Sequence, residues 1–496
     1  MKKSLSFLLA PALLLMSGCH EIIDEILDGK DEDDDSKSGI KYQDYSVEPN
    51  MLKKLPGFED VEIYTLISST DKLAESPEYT LGGSADGAGL IKTADGYVYL
   101  VNNEDNYAVS RIYLDENLKP VKGDYVLNSS GAGTRMCSAS LATPEEHGFG
   151  PIFLTAGESG PESQTHGVSP FSDAATASIP QVLPALGRWN AENALPLPTT
   201  VTKGKTMIII GDDDSGPQGG QIAMYMSEGQ GDLHSGKVYV LRRVDQNPVE
   251  TDMEQGLSYE VEFVEIENAA TNTGEQNNLA SEALHSIAFG RVEDLDYGKG
   301  GPSANNNVYF EVTGQLTDDG SRSKWGRTYR LRLNPSDPMK GTLEVLLDGD
   351  DPSSDAFGLY MNPDNIMATE NYLYIQEDPN GYTEDGEGEG RETHDAYLYQ
   401  YNLKTKALKT VFETNLFRDN AELSEYFGTD GVRFGAWEYG AMIDITETIG
   451  ETEPTFLLCI QPHTWRREEF KGVDGGSIRP NENQGSQILV VRGLDY

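Results

Sequence analysis

Positive charge is scarce in this sequence. Thirty-eight lysines and arginines face 82 aspartates and glutamates in 496 residues, for a formal net charge of −44 and a pI near 4.3. Nucleic-acid binding needs clustered Lys and Arg to displace counterions from phosphates, so this balance excludes a nucleic-acid partner. It favours a solvated anionic surface and sites for divalent cations. The common catalytic signatures are missing too: there is no Gly-x-Ser-x-Gly elbow and no His-Glu-x-x-His pair. Gly231 to Lys237 approaches a phosphate-binding loop, but Val238 stands where Ser or Thr is required. That segment also leads into a strand, where phosphate binding needs a helix N-terminus. Cysteine is rare, with three in the chain. What is abundant is Gly (52) and Pro (24), beside 37% hydrophobic residues, the composition of a loop-rich all-β protein.

The N-terminus reads as an export signal. Lys2 and Lys3 precede an apolar stretch, Leu5 to Met16, that is too short to span a bilayer. It ends in Met16-Ser17-Gly18-Cys19, which resembles the lipobox of bacterial lipoproteins. That resemblance implies acylation of Cys19 and a lipid anchor without a spanning helix. His20, rather than aspartate, follows the cysteine, which points to the cell envelope and the outer membrane of a Gram-negative bacterium. Residues 1–19 are thus a signal peptide with its lipobox. Residues 20–51 read as a flexible tether, with a short apolar patch at Ile22 to Leu27 and the acidic run Asp31 to Asp35. Residues 52–496 read as the folded domain. Of the two remaining cysteines, Cys459 lies in the apolar run Phe456 to Ile460 and reads as a core side chain. Cys137 sits in a polar loop and calls for a function, a Cys137–Cys459 disulfide being the alternative.

Six short apolar runs end in or abut acidic or polar residues. Gly96–Val101 leads to Glu104, Pro151–Leu154 to Glu158, and Thr206–Ile210 to Asp212. Asn307–Phe310 leads to Glu311, Tyr372–Ile375 to Asp378, and Phe456–Ile460 to His463. These runs are β-branched or aromatic and bounded by Gly, Asn, Asp and Pro, as buried strands are. Further strand-like pieces lie between them, including Ile222–Met226, Gly236–Leu241, Arg327–Arg332, Ala396–Tyr401 and Ile488–Val491. Six inner strands with outer companions predict a β-propeller of about six blades with a metal site in its central channel, against a large β-sandwich as the rival. The spacing places an insert near Asp245 to Ser281, and Glu384 to Glu392 reads as a solvated acidic loop without EF-hand spacing.

The candidate site residues are Cys137, Glu158, Glu192, Asp212 and Arg291, together with Glu293, Glu311, Asp364, Asp378 and His463. Taken singly, each acid reads as a turn residue or a solvated charge. Converging on one channel, such carboxylates repel one another unless cations lie among them. Calcium takes hard oxygen ligands and a thiolate favours a softer metal, so a cysteine amid acids suggests a mixed site.

The chain from about Leu81 to His463 resembles the PhoX-type alkaline phosphatases, secreted bacterial propellers. The matching pieces are Gly82–Gly87 with Asn103-Glu104, the Cys137 loop leading to Glu158, and Gly187-Arg-Trp-Asn-Ala-Glu-Asn193. They continue with Ile210–Asp213, Arg291-Val-Glu293, Asn362–Asn365 with Ile375–Asp378, Trp437-Glu438, and Cys459–His463. The resemblance implies iron and calcium as cofactors, with Cys137, Glu158 and Glu192 as iron ligands. It implies that Glu293 and Asp364 or Asp378 complete the metal cluster; Asp212 and Glu311 are further metal candidates from their places at the ends of apolar strands. Arg291 resembles the family's phosphate-binding arginine, and a guanidinium suits that task because it offers paired donors. Arg188 falls in a matching piece as a second substrate-binding candidate, and Glu293 and His463 join Arg291 as catalytic candidates. The activity implied is metal-dependent hydrolysis of a small phosphoric monoester by a lipid-anchored monomer. The alternatives are a non-catalytic calcium-binding surface propeller for glycans or proteins, and a propeller lactonase or esterase.

Overall fold

The apolar runs fold as antiparallel strands, since buried backbone groups must be paired and the short runs between turn residues leave sheet ladders as the means. The structure, a computed structural model, describes residues 39–379, 394–428 and 434–496. The export signal with Cys19 and the acidic loop Glu384 to Glu392 lie outside these residues.

Two short strands, β1 (Leu52–Lys54) and β2 (Glu62–Ser68), come first. β3 (Ala85–Thr93), β4 (Gly96–Asn103), β5 (Ala108–Leu114) and β6 (Pro120–Leu127) form one sheet in that order. β7 (Met136–Ala142), β8 (Ile152–Gly157) and β9 (His166–Val168) form the next. β10 (Ala191–Pro196), β11 (Met207–Asp212), β12 (Gln221–Ser227), β13 (Gly236–Arg243) and β14 (Ser258–Glu265) pair successively. So do β15 (Val292–Tyr297), β16 (Asn307–Val312), β17 (Arg327–Asn334) and β18 (Asp337–Asp348). Because β14 pairs with β18, these nine strands make a single sheet. β19 (Pro363–Ala368), β20 (Tyr372–Glu377), β21 (Tyr397–Asn402) and β22 (Leu408–Thr414) carry β1 on their outer edge. Finally β23 (Glu438–Asp444), β24 (Thr455–Gln461) and β25 (Gln487–Arg492) take β2 as their outer strand. N-terminal and C-terminal chain therefore share one sheet.

The strands β3, β7, β10, β15, β19 and β23 each lead a meander and each lie against the next, with β23 returning to β3. The architecture is all-β and propeller-like, and every leading strand faces a common centre. Two expectations change. The apolar runs are the second strands, β4, β8, β11, β16, β20 and β24, and not the innermost ones. The sheets number five among the described residues, because the segment near Asp245 to Ser281 supplies β14, which bridges two meanders, and the ten-residue helix Gly274–Ala283.

Second strands are buried past their first residue, and β11 and β24 from end to end, which suits apolar side chains on both faces. Full burial of each such side chain contributes about 1.5–3 kcal/mol. Innermost strands crowd near the centre and carry small residues instead. A Cβ on Gly87 of β3 would lie 2.2 Å from the Ala139 nitrogen of β7, and one on Gly440 of β23 would lie 2.2 Å from the Ala85 oxygen of β3.

The folded body also reaches further upstream than composition suggested. Ile40, Tyr42 and Tyr45 pack on the cluster that contains Leu66, Leu90 and Leu457, and Met51 is fully buried. Two tyrosines supply the apolar surface that the acidic run before them lacks. Both Cys137 and Cys459 are free thiols; Cys459 lies in the core of β24, 3.3 Å from the Tyr99 hydroxyl. No helix among the described residues is long and apolar enough to cross a membrane.

The tight approach of β23 to β3 is testable. Gly440→Ala places a methyl against backbone rather than a movable side chain, so it should lower unfolding stability by about 1–3 kcal/mol in a urea titration.

Candidate functional site

The innermost strands share an irregularity at their first residues. The register of β3 with β4 jumps from Ala85↔Asn103 to Ala88↔Val101, so Asp86 and Gly87 together oppose Asn102. Cys137 and Ser138 of β7 oppose Ala156 in the same way. Glu293 and Asp294 of β15 oppose Glu311, and Asp364 and Asn365 of β19 oppose Gln376. On β10 the shift leaves Glu192 as an extra residue between Ala191↔Asp212 and Asn193↔Gly211. On β23 the jump follows Glu438, between Tyr439 and Met442. Such bulges re-aim side chains that regular pleating would alternate across the strand. Each innermost strand thereby sends one ligand-type side chain, Asp86, Cys137, Glu192, Glu293, Asp364 or Glu438, into a single cavity of about 580 Å³.

The second strands supply another tier from the position just beyond their ends. Glu104 follows β4, Glu158 follows β8, Asp213 follows β11 and Asp378 follows β20, and all four line the same cavity. After β16 the corresponding residue is Thr313, and β24 is followed by Pro462 and His463. With Asp105, the lining holds ten carboxylates and one thiol against the guanidiniums of Arg135, Arg291 and Arg466.

Four overlapping triads have donor atoms within 4.8 Å of one another: Asp86, Cys137 and Glu192; Glu104, Cys137 and Glu158; Glu192, Glu293 and Asp364; Asp364, Asp378 and Glu438. Cys137, Glu192 and Asp364 each belong to two, so the triads form a continuous chain across the cavity. The Cys137 thiol donates to Glu158 Oε2 at 3.0 Å, and the Ser138 N–H donates to Glu192 Oε1 at 3.1 Å. Arg291, held at φ +71°, places Nε 2.8 Å from Asp213 Oδ1 and Nη2 2.8 Å from Asp213 Oδ2, with Glu293 Oε1 at 3.3 Å. His463 lies with Nε2 3.2 Å from Glu438 Oε1 and Nδ1 2.7 Å from Gln484 Oε1.

Burial and mutual repulsion make this cluster hold protons. Desolvation, then neighbouring acids, pushes Asp86, Glu192, Glu293, Asp364 and Glu438 well above the usual carboxylate range. Glu104 rises to about 8, chiefly through desolvation and against the pull of Arg135. Asp213 rises to about 7 for the same first reason, against Arg291. The Cys137 thiol is raised by burial and then by Glu158 and Glu192. Such a donor set fits divalent cations, whose charge offsets the repulsion and favours the ionised ligands. The oxygens suit a hard cation such as calcium, and the triads that include Cys137 suit a softer one.

Of the residues expected from the sequence, the cavity brings together Cys137, Glu158, Glu192, Arg291, Glu293, Asp364, Asp378 and His463. Three lie elsewhere. Asp212 is the last residue of β11 and accepts from the Asn190 N–H at 3.0 Å, whereas Asp213 turns into the cavity. Glu311 stands opposite a bulge and accepts from the Thr328 hydroxyl at 2.8 Å inside its own sheet. Arg188 is half-buried and lies 3.7 Å from Glu162, outside the cavity lining. Asp86, Glu104, Arg135, Asp213 and Glu438 line the cavity as well and are not among the residues expected there. A stricter rule, the first residue past each second strand, selects Glu104 and Asp213 and rejects Glu311.

No protein-family model matches the chain, and no curated protein matches it. Solved structures resemble it at low identity. A calcium-binding protein, regucalcin, from Agrobacterium tumefaciens shares 10% identity over 84% of this chain and 93% of its own, with a TM-score of 0.35. An α-L-arabinofuranosidase from Fusarium graminearum shares 9% over 85% and 97%, with a TM-score of 0.33. A protein named as a putative oxidoreductase (glucose dehydrogenase) from Thermus thermophilus shares 10% over 86% and 99%, with a TM-score of 0.36.

The raised carboxylates set a pH dependence. Their folded-state values lie above the ordinary 4.5 of Glu104 and 3.8 of Asp213, so the folded protein holds those protons more tightly than the unfolded chain. In chelator-treated protein this contribution should therefore be fully present below the ordinary values of 3.8 and 4.5 and be lost progressively as pH rises to about 7 to 8. Melting temperatures measured across that window should fall, and added calcium should restore them.

Proposed function

We propose that this chain is a divalent-cation-binding propeller that hydrolyses phosphoric monoesters at the cluster joined by Cys137, Glu192 and Asp364. The observation that carries this reading is the overlap of four ligand triads in one cavity with Arg291 in its wall. The sequence resemblance to PhoX-type alkaline phosphatases supports the same chemistry, and it adds iron at Cys137, Glu158 and Glu192 beside calcium among the remaining acids. We also read the nine-stranded sheet as two blades fused through β14 and β18, which makes the ring six-bladed.

Bound cations would neutralise the substrate's charge and polarise its phosphoryl oxygens. The chain's own groups do the rest. Arg291 is 28% exposed and fixed by Asp213 and Glu293, so its guanidinium is already oriented for equatorial oxygens of a phosphoryl group. His463 Nε2 lies 3.2 Å from Glu438 Oε1 and its Nδ1 2.7 Å from Gln484 Oε1, which places the ring at the wall for proton transfer to a leaving alkoxide.

A second reading, a calcium-binding surface propeller without catalysis, is favoured by the same Arg291, since its Nε and Nη2 are both engaged by Asp213 and Nη2 also faces Glu293.

Metal analysis of the purified protein, run beside hydrolysis of a chromogenic phosphate monoester with added calcium, separates the two. The hydrolase reading expects bound metal and turnover, with Cys137→Ser lowering metal affinity and rate by about 10- to 100-fold or more. Calcium bound without turnover, and indifferent to Cys137→Ser, overturns it in favour of the binding protein.

A further inference from the structure

The guanidiniums that reach the central cavity are held in different ways. Arg291 is tied to Asp213 by two contacts of 2.8 Å. Arg466 sits at the rim, 47% exposed, near Glu482 at 3.5 Å and Asn483 at 3.2 Å. Arg135 stands just before β7, two residues from Cys137, with its main chain clamped on both sides. Its N–H donates to Ser159 Oγ at 3.0 Å, and its carbonyl accepts from the Glu158 N–H at 2.9 Å. Its side chain is looser: Nη1 lies 3.3 Å from Glu104 Oε1 and 3.5 Å from Glu158 Oε2, and it is 39% exposed. Charge-assisted hydrogen bonds run about 2.7–2.9 Å, so these are longer, electrostatic contacts.

We propose that Arg135 is a second anion-binding residue of this cavity, gripping phosphoryl oxygens of the substrate when a cation occupies the Glu104, Cys137 and Glu158 triad. The inference rests on the hydrolase reading above. Glu104 and Glu158 are at once the counter-charges of Arg135 and members of that triad. A cation bound there draws on the same two carboxylates, and Arg135 keeps its charge while losing its partners' share of it. A guanidinium left in that position inside a cavity favours an incoming anion, and its planar fork matches the paired oxygens of a phosphoryl group. Because the Arg135 backbone is pinned to Glu158 and Ser159, the side chain moves from carboxylate to ligand without moving the strand. Arg135 thus serves as one of the cavity's own cations before metal arrives, and as a ligand for substrate afterwards.

The test is titration calorimetry of inorganic phosphate into the calcium-loaded protein, with elemental analysis and melting temperature for each variant. Arg135→Gln should bind phosphate about tenfold or more weakly at unchanged metal content and melting temperature. Arg135→Lys, which restores the charge without the fork, should recover part of that loss. If wild type binds phosphate and R135Q binds it equally well, the role of Arg135 is overturned and the hydrolase reading stands. If R135Q loses metal in step with phosphate, Arg135 is a support for the metal ligands and the proposal falls. Calcium-loaded wild type that binds no phosphate overturns both readings together.

Discussion

Ten carboxylates and a thiol meet in one cavity beside three guanidiniums, and each is held there by a strand that cannot swing away. In water such a group of acids would separate. Here the innermost strands are locked to second strands buried along nearly their whole length, and their bulges aim one side chain each at the centre. The hydrophobic packing of β4, β8, β11, β16, β20 and β24 therefore opposes an electrostatic repulsion that those strands help to create. Protons can relieve it, as the raised carboxylates indicate, and so can cations. The cavity is built for positive charge because its frame is too rigid to disperse negative charge.

That rigidity has visible supports. Gly87 and Gly440 let neighbouring innermost strands approach to distances no side chain would allow. Amides of the second strands satisfy carbonyls that the bulges release: Asn102 donates to the Cys137 carbonyl, and Gln376 donates to the Gly440 carbonyl at 2.6 Å. Both bonds reach from one meander to the next, so they fix ligand-bearing strands to each other. Glu311 occupies the same position opposite a bulge, which explains why it is buried inside the sheet and does not line the cavity.

Several of these features could be read along the chain. Apolar runs ending in acids marked the second strands, and Glu158 and Asp378 follow their strands as expected. The lone polar-context cysteine, Cys137, lies in the cavity. Asp86, Glu192, Glu293, Asp364 and Glu438 were harder to reach by periodicity, because the innermost strands are short, rich in small residues and interrupted by bulges. The metal-ligand roles expected of Glu192, Glu293 and Asp364 come from family likeness and not from strand pattern. Asp212 was preferred to Asp213 because the run Asp212-Asp-Asp214 gives no local sign of which member turns inward. Nothing in the sequence couples Arg135 to Glu104 and Glu158, which only the folded chain brings to it.

The amino-acid sequence by itself determined the strand class, the acidity and the supply of ligand-type residues, since these follow from local composition and from the spacing of apolar runs. Only the tertiary structure decided which acids share a cavity. That choice depends on where each bulge falls in its ladder and on which meander lies beside which, both set by pairing between residues far apart in the chain. The pairing of β2 with β25 and the return of β23 to β3 close the ring, and closure is what turns six separate strand starts into one site.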